Sequence, residues 1–197
     1  MPSNRVKLYL LVAGLFDQPE EACADFHFSL IAKLLQSLPV QSSCRQPLEA
    51  LERDVVENAF PADVLEAEYQ RLFAPGGLVS PACTSWLDLS AAEAVRHLMA
   101  RYGVGGETSP DLIGELEFMA YLIAEDASTR ALQHHFLQSH LGRWIPYFSQ
   151  AVRFAAHLPR YRMAAELLER LVQEEISLLN AQAGECPVPS QDHLRAA

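Results

Sequence analysis

The sequence predicts an all-α fold, a single-domain bundle of about nine helices, and three observations lead to this prediction. Apolar residues recur every three or four positions along almost the whole chain, which is the spacing of one helix face. No run of β-branched residues alternates with polar ones, so a sheet is not expected. Segments rich in proline and glycine separate the periodic stretches, and no motif recurs at a fixed interval, which argues against a repeat protein.

Residues with strong conformational preferences mark the predicted helix boundaries. Prolines open the second, fourth, eighth and ninth helices, because the proline ring fits the first turn. The fifth helix is predicted to start at a capping box, Ser90 with Glu93, and the sixth at Ser109, Pro110 and Asp111. The predicted spans are, in order, about 8–16, 19–38, 48–59, 61–73, 90–102, 109–124, 128–140, 146–157 and 159–183.

Two predicted helices have a particular place in this scheme. The sixth is apolar on nearly every face over residues 112–124, so it should lie in the middle of the core. The seventh is predicted to be interrupted at Gly142, and the eighth to restart at Pro146, because glycine and proline break helices.

The domain organisation is predicted from length and from the breaks in the pattern. A chain of 197 residues suggests one domain. We assign residues 1–183 to it, with flexible links near 74–85 and 103–109, and we expect residues 184–197 to be a disordered tail. A hinge at the second link would allow two chains to exchange a segment, so a monomer or a segment-swapped dimer is expected.

Charge and cysteine content limit the classes of partner. Fifteen basic and 25 acidic residues give a net charge of -10, which repels nucleic acids and anionic lipids and favours cationic partners. No apolar stretch approaches ~18 residues, so stable membrane insertion is not expected. The four cysteines form no C-x-x-C pair, so we expect reduced thiols and a cytoplasmic location.

Motifs that carry catalysis or bind metals are absent from the sequence. There is no P-loop, no Gly-x-Ser-x-Gly elbow and no Glu-x-x-His pair, the last of which a di-iron bundle would need. His134 and His135 are adjacent and therefore point in different directions on a helix. We expect no catalytic residue, no metal site and no cofactor.

Acidic residues on the apolar sixth helix form the first candidate binding feature. Asp111, Glu115 and Glu117 lie there with no base between residues 111 and 126. An unpaired buried carboxylate is costly. Two interpretations remain open. Either Asp111 caps the helix while Glu115 or Glu117 pairs inside the protein, or these acids form an exposed lip for a cationic ligand.

Aromatic and acidic segments elsewhere also have two interpretations each. Trp86 follows a loop rich in proline and glycine, where it either anchors the core or lines a groove for a peptide. Trp144 and Phe148 are four residues apart, which favours core packing. Residues 49–68 carry seven acids and one base, Arg53, which is typical of a solvated face but also of a site for a basic peptide.

Three segments in the order found here resemble one protein family. They are EAEYQRLF at 66–73, followed by the loop rich in proline and glycine, DLIGELEFM at 111–119, and FLxxHLxxWxPxF at 136–148. Their order, spacing and helical context resemble the TorD/DmsD family of cytoplasmic chaperones that mature molybdenum-containing oxidoreductases. The resemblance extends over roughly residues 5 to 180 and is most specific in the third segment.

The resemblance implies a function and a set of contacts. Members of that family have an all-α fold without a catalytic site, bind the twin-arginine signal peptide of a molybdopterin oxidoreductase precursor, and hold the apoprotein until its cofactor is inserted. The family's aromatic-Leu-Asp loop and Asp-His pair correspond here to 86–88 and 111–112, with Leu112 replacing the histidine. The candidate peptide-binding residues are Trp86, Leu87, Asp88, Asp111, Leu112, Glu115, His140 and Trp144.

Two alternatives to this function remain. The first is a related chaperone of the NarJ type, which assembles a molybdoenzyme subunit that is not exported through its own signal. The second, more distant, is a small helical enzyme or metal-binding protein, which would need a cluster of histidine and glutamate ligands.

Overall fold

A computed structural model describes residues 3–19, 21–58, 60–104 and 110–184, and it confirms the all-α prediction. These residues form nine α-helices and no strand. The helices are α1 (Asn4–Leu15), α2 (Glu21–Ser37), α3 (Arg45–Asn58), α4 (Ala62–Phe73), α5 (Leu89–Arg101), α6 (Leu112–Ala124), α7 (Arg130–Phe136), α8 (Gly142–Ala155) and α9 (Pro159–Gly184). None of them, within the described ranges, combines the length and the apolar character that crossing a membrane requires.

The core is built around α6, as its sequence predicts. Of the 13 residues of this helix, eight are buried, and it packs along α1. The long helix α9 packs against α8, α3 and α1. Apolar faces on these helices therefore enclose one continuous hydrophobic core.

Aromatic rings fill the part of the core between α8 and the N-terminal helices. Phe148 lies edge-on to Phe16, Trp144 and Trp86 at centroid distances of 5.5, 5.6 and 6.0 Å. Trp144 and Phe148 are both 0% exposed, which confirms the core-packing prediction for this pair. Edge-to-face contacts of this kind add to the stability gained from burial alone.

Aspartates cap the helices that were predicted to begin at serines. The Asp88 carboxylate accepts a hydrogen bond from the Ala91 amide, so the cap of α5 is Asp88 and Ser90 lies inside the helix. Asp111 caps α6 in the same way by accepting from the Gly114 amide. A carboxylate is a strong acceptor at this position because it also meets the positive end of the helix dipole. Ser109 lies outside the described residues.

The predicted break between the seventh and eighth helices is wrong. Residues Leu137–Leu141 form a π-helical turn that joins α7 to α8, so one continuous rod extends from Arg130 to Ala155. Gly142 continues the helix, and its amide donates to the Leu137 carbonyl, five residues back. Pro146 lies inside α8. Because proline has no amide hydrogen, Pro146 removes one hydrogen bond from α8 without ending the helix.

Gly142 is required by the close approach of α9. A Cβ atom at this position would meet the Leu137 carbonyl oxygen and the Ile176 Cδ1 atom, each at 2.8 Å. We expect Gly142→Ala to destabilise the fold by about 1–3 kcal/mol through overpacking, as measured by urea denaturation. Gly114→Ala, in α6, is the matched control because a Cβ there has only ordinary contacts, the nearest at 3.4 Å. That substitution should be neutral or stabilise by up to ~1 kcal/mol. Equal effects at the two positions would contradict the prediction.

The acidic segment 49–68 divides into exposed and buried residues. Asp54 and Glu68 are 4% and 6% exposed, and they pair with Arg160 and Arg71. Glu49, Glu57 and Asp63 are among the acids of this segment that face solvent. Asp54 and Glu68 therefore stabilise the fold and are not available to a basic ligand.

Candidate functional site

The segment that carries Trp86 is held against the start of α6. We call residues 74–88 the tryptophan loop. The loop turns at Gly76, which has a φ of 85° that favours glycine, and the Val79 amide then donates to the Leu72 carbonyl at 2.8 Å. Further along, Ala82 forms an antiparallel bridge with Asp111, and the Leu112 amide donates to the Pro81 carbonyl at 2.9 Å. These contacts hold the tryptophan loop, which carries the predicted segment 86–88, against the predicted segment 111–112 at residues 81 and 82.

Trp86 combines a fixed position with partial exposure. Its indole N–H donates to the Ser80 carbonyl at 2.9 Å, and its ring contacts Phe148, yet the side chain is only half-buried. The neighbouring Leu87 is also half-buried and packs against the core. Trp86 therefore anchors the loop to the core, as one interpretation predicts. Its ring also remains partly accessible, as a residue lining a peptide groove must be.

Asp88 and Asp111 are the exposed carboxylates of this region. In each, Oδ1 accepts the capping hydrogen bond. The Ser90 hydroxyl and the Ala91 amide, which donate to the Asp88 carboxylate, hold the pKa of Asp88 below its usual value. Capping leaves Oδ2 of both residues without a hydrogen bond to a described residue. The positive charge of Arg143 already acts on Asp88, so Asp111 is the more available of the two to an external cation.

Glu115 does not join that exposed edge. It is 0% exposed; its Oε1 lies 2.9 Å from His140 Nε2, and its Oε2 accepts a hydrogen bond from Trp144 Nε1 at 3.1 Å. The interpretation in which Glu115 pairs inside the protein is therefore confirmed. The alternative, in which Glu115 belongs to an exposed acidic lip, is wrong for this residue. Asp111 and Glu115 were expected on one face, but they differ in exposure: Asp111, which caps the helix, is exposed and Glu115 is buried.

Four of the eight predicted peptide contacts are buried. Leu112, Glu115, His140 and Trp144 are between 0 and 3% exposed, so a peptide cannot reach them in this conformation. The accessible members of the predicted set are Trp86, Leu87, Asp88 and Asp111. Glu117 is exposed but has no place in the predicted set.

Cys83 is the residue of this region that the sequence did not single out. It opens a short 3₁₀ turn, is 0% exposed, and lies beside Glu115. Burial first, and then the negative charge of Glu115, raise the pKa of the Cys83 thiol to about 12. One donor atom each from Cys83, Glu115 and His140 lie within 4.8 Å of one another. We call these three residues the buried donor cluster.

Several concave surfaces of the described residues lie outside the tryptophan loop. A partly open cavity of about 190 Å³ is lined by Gly14, His27 and Arg160 among others. A more open groove of about 470 Å³ runs between α5 and α7, and its floor reaches His140. The groove therefore leads from the surface to the buried donor cluster.

Comparisons with known proteins identify the family. Among solved structures, the chain is similar in fold to a protein from Archaeoglobus fulgidus described as a redox enzyme maturation protein. The TM-score is 0.56 at 18% identity, and the match covers 88% of this chain and 96% of that one. No curated protein matches the chain. The family model described as nitrate reductase delta subunit matches residues 38–150. That match covers more than half of the sequence, and the chain therefore belongs to the nitrate reductase delta subunit family.

Proposed function

We propose that this protein is a cytoplasmic maturation chaperone for a molybdenum-containing oxidoreductase and binds the twin-arginine signal peptide of its client's precursor. Family membership and the similarity to a redox enzyme maturation protein support the general role, which is one of binding and not of catalysis. The TorD/DmsD-like motifs support the more specific one. The observation that carries it is the bridge between Ala82 and Asp111, which holds the tryptophan loop, with its half-buried Trp86 and exposed Asp88, against the start of α6 and the exposed Asp111.

The chemistry of that region complements a twin-arginine signal. Such a signal offers two guanidinium groups followed by an apolar stretch. Asp88 and Asp111 each offer the Oδ2 atom that capping leaves without a hydrogen bond, and a guanidinium N–H can donate to it. The exposed side of Trp86, together with Leu87, offers apolar surface to the stretch that follows.

We expect the complex to have micromolar affinity. Burying a few hundred Å² of apolar peptide surface contributes several kcal/mol at about 25 cal/mol per Å². Ordering the peptide offsets much of that gain. The net charge of -10 adds long-range attraction for a basic leader, which should weaken as salt is added.

Substitutions at the exposed residues test the proposal. Titration of the purified protein with a fluorescent signal peptide should show micromolar binding, and Trp86→Ala should weaken it by roughly 10- to 100-fold. Asp88→Asn and Asp111→Asn remove the charge but keep an N-cap, so the helices remain intact while binding falls. Glu93→Gln, at an exposed site on α5, is the control and should bind normally. Unchanged affinity in all three variants would place the peptide elsewhere, and a lack of binding to any twin-arginine leader would refute signal recognition.

The NarJ-type alternative is favoured by the family match itself, since the matching model describes a nitrate reductase delta subunit. Leu112 is consistent with a different client, because it replaces the histidine of the TorD/DmsD pair with an apolar residue buried in the core. A precursor from which the signal has been deleted distinguishes the two. Undiminished binding of that precursor would support the NarJ-type role, and loss of binding would support signal recognition.

A further inference from the structure

The buried donor cluster has the composition of a metal site. Cys83 supplies a thiol, Glu115 a carboxylate and His140 an imidazole, and each offers one donor atom to the same small volume. Sulfur, nitrogen and oxygen donors in one tetrahedral shell are the set that Zn²⁺ accepts in proteins. We propose that these three residues bind a single divalent transition-metal ion, with Zn²⁺ the best match.

The distances lie close to those that an ion requires. A tetrahedral ion with bonds of about 2.0–2.3 Å needs its ligand atoms roughly 3.3–3.7 Å apart. The three donor atoms already lie within 4.8 Å of one another, and Glu115 Oε1 is 2.9 Å from His140 Nε2. Shifts of about 1 Å or less, within the reach of side-chain rotation, would close the shell. Water or the second carboxylate oxygen provides the fourth ligand.

Charge balance also favours a divalent ion at this depth. Cys83 and Glu115 are both 0% exposed, so any net charge on them is expensive. A thiolate and a carboxylate neutralise a doubly charged cation, and the imidazole adds no charge when it binds through a neutral ring. The filled site is therefore a neutral unit in an apolar environment.

Surrounding residues support the ligands and give access to them. The Trp144 indole N–H fixes the Glu115 carboxylate at 3.1 Å, and the Phe136 ring stacks on the His140 ring at 5.3 Å. Such outer contacts orient ligands and raise metal affinity. The groove of about 470 Å³ that reaches His140 is also lined by His97 and His135, and it provides an entry route for an ion.

Metal binding would join three elements that are distant in sequence. The ligands lie on the 3₁₀ turn of the tryptophan loop, on α6 and on the π turn. An ion would thus fasten the tryptophan loop to the core. This role is independent of whether the loop's exposed side binds a signal peptide.

The test uses the full chain without a histidine tag, stripped with EDTA and titrated with Co²⁺ and Zn²⁺. We expect one ion per chain, a thiolate-to-cobalt charge-transfer band in the near ultraviolet, and a higher melting temperature with Zn²⁺. Cys83→Ser should weaken binding by more than about 100-fold, and His140→Gln should weaken it as well. Cys44→Ser is the matched control, since Cys44 is also buried but is not one of the clustered donors, and it should bind like the wild type.

Three results would overturn the proposal. The first is no stoichiometric binding of either ion to the wild-type protein. The second is a cobalt complex without a thiolate band, which excludes Cys83 even if its variants fail to fold. The third is equal affinity in Cys83→Ser and Cys44→Ser, which would place the ion at other residues.

Discussion

Glu115→Ala is expected to destabilise the fold by about 3–5 kcal/mol, because removing one partner of a buried polar pair leaves the other unsatisfied. His140 and Trp144, which are only 3% and 0% exposed, would both lose their hydrogen-bond acceptor. The missing side chain would also leave a cavity. Glu115→Gln should cost less. Its amide oxygen can still accept one hydrogen bond, but its NH₂ group would then face the second donor.

Urea denaturation at neutral pH, with EDTA present to remove any metal contribution, measures this effect. Glu117→Ala is the control, because Glu117 lies two residues further along α6 and faces solvent. The control should change the free energy of unfolding by less than ~0.5 kcal/mol. If Glu115→Ala were as mild as its control, Glu115 could not be the acceptor that holds His140 and Trp144.

Glu68→Gln is expected to lower the free energy of unfolding by about 2–3 kcal/mol at pH 7, because hydrogen bonds to a charged group are the stronger ones. Glu68 lies on α4 and accepts two hydrogen bonds from Arg71, both at 2.8 Å. It also accepts from the amides of His157 and Leu158, in the turn between α8 and α9. One carboxylate thus joins α4 to that turn.

The same residue should make stability depend on pH. Burial alone would raise the pKa of Glu68, but the hydrogen bonds from Arg71, His157 and Leu158 outweigh it and hold that pKa below its usual value. The stability due to the charged form is therefore complete above the unfolded-state pKa of about 4.3, and it is lost as the pH falls through the lower folded-state pKa.

A pH series distinguishes this mechanism from simple loss of packing. The difference in free energy of unfolding between the wild type and Glu68→Gln should change little from pH 7 to about pH 5, because the imidazole of His157, 3.7 Å from Glu68, is largely exposed, and it should shrink below that. Glu66→Gln, at a half-exposed site on the same helix, is the control and should give a small difference at every pH. If the difference in free energy of unfolding between the wild type and Glu68→Gln stayed the same below about pH 4, ionisation of Glu68 would not contribute to stability.

Helix type and burial follow from local pattern, and the sequence predicts them well. The apolar periodicity of 112–124 correctly indicates a buried α6, and the four-residue spacing of Trp144 and Phe148 correctly indicates core packing. The sequence also favours Asp111 as the N-cap of α6, in one of two interpretations, and the structure has it there. These properties depend on residues within one or two turns of each other, which is why a sequence reveals them.

The buried donor cluster depends on contacts across the fold, so no local pattern predicts it. Cys83 has no ligand-type neighbour in sequence at a metal-binding spacing, and its partners lie at positions 115 and 140. The π turn did leave a signal. Phe136, His140, Trp144 and Phe148 are all buried at intervals of four, which in a regular α-helix drift by about 40° per step. A wider turn reduces that drift and keeps these side chains on one side.

The packing of α1 has a consequence for how the chain is made. Arg5 on this helix binds Glu175 on α9, with hydrogen bonds of 2.8 and 3.0 Å from its Nε, and the two residues are 170 positions apart. A ribosome adds about 5–20 residues per second, so α1 emerges on the order of ten to thirty seconds before its last partner exists. During that interval α1, whose Leu8, Leu11 and Val12 are buried in the finished fold, lacks α9, one of the helices it packs against. A protein proposed to act as a chaperone would then itself expose apolar surface during its synthesis.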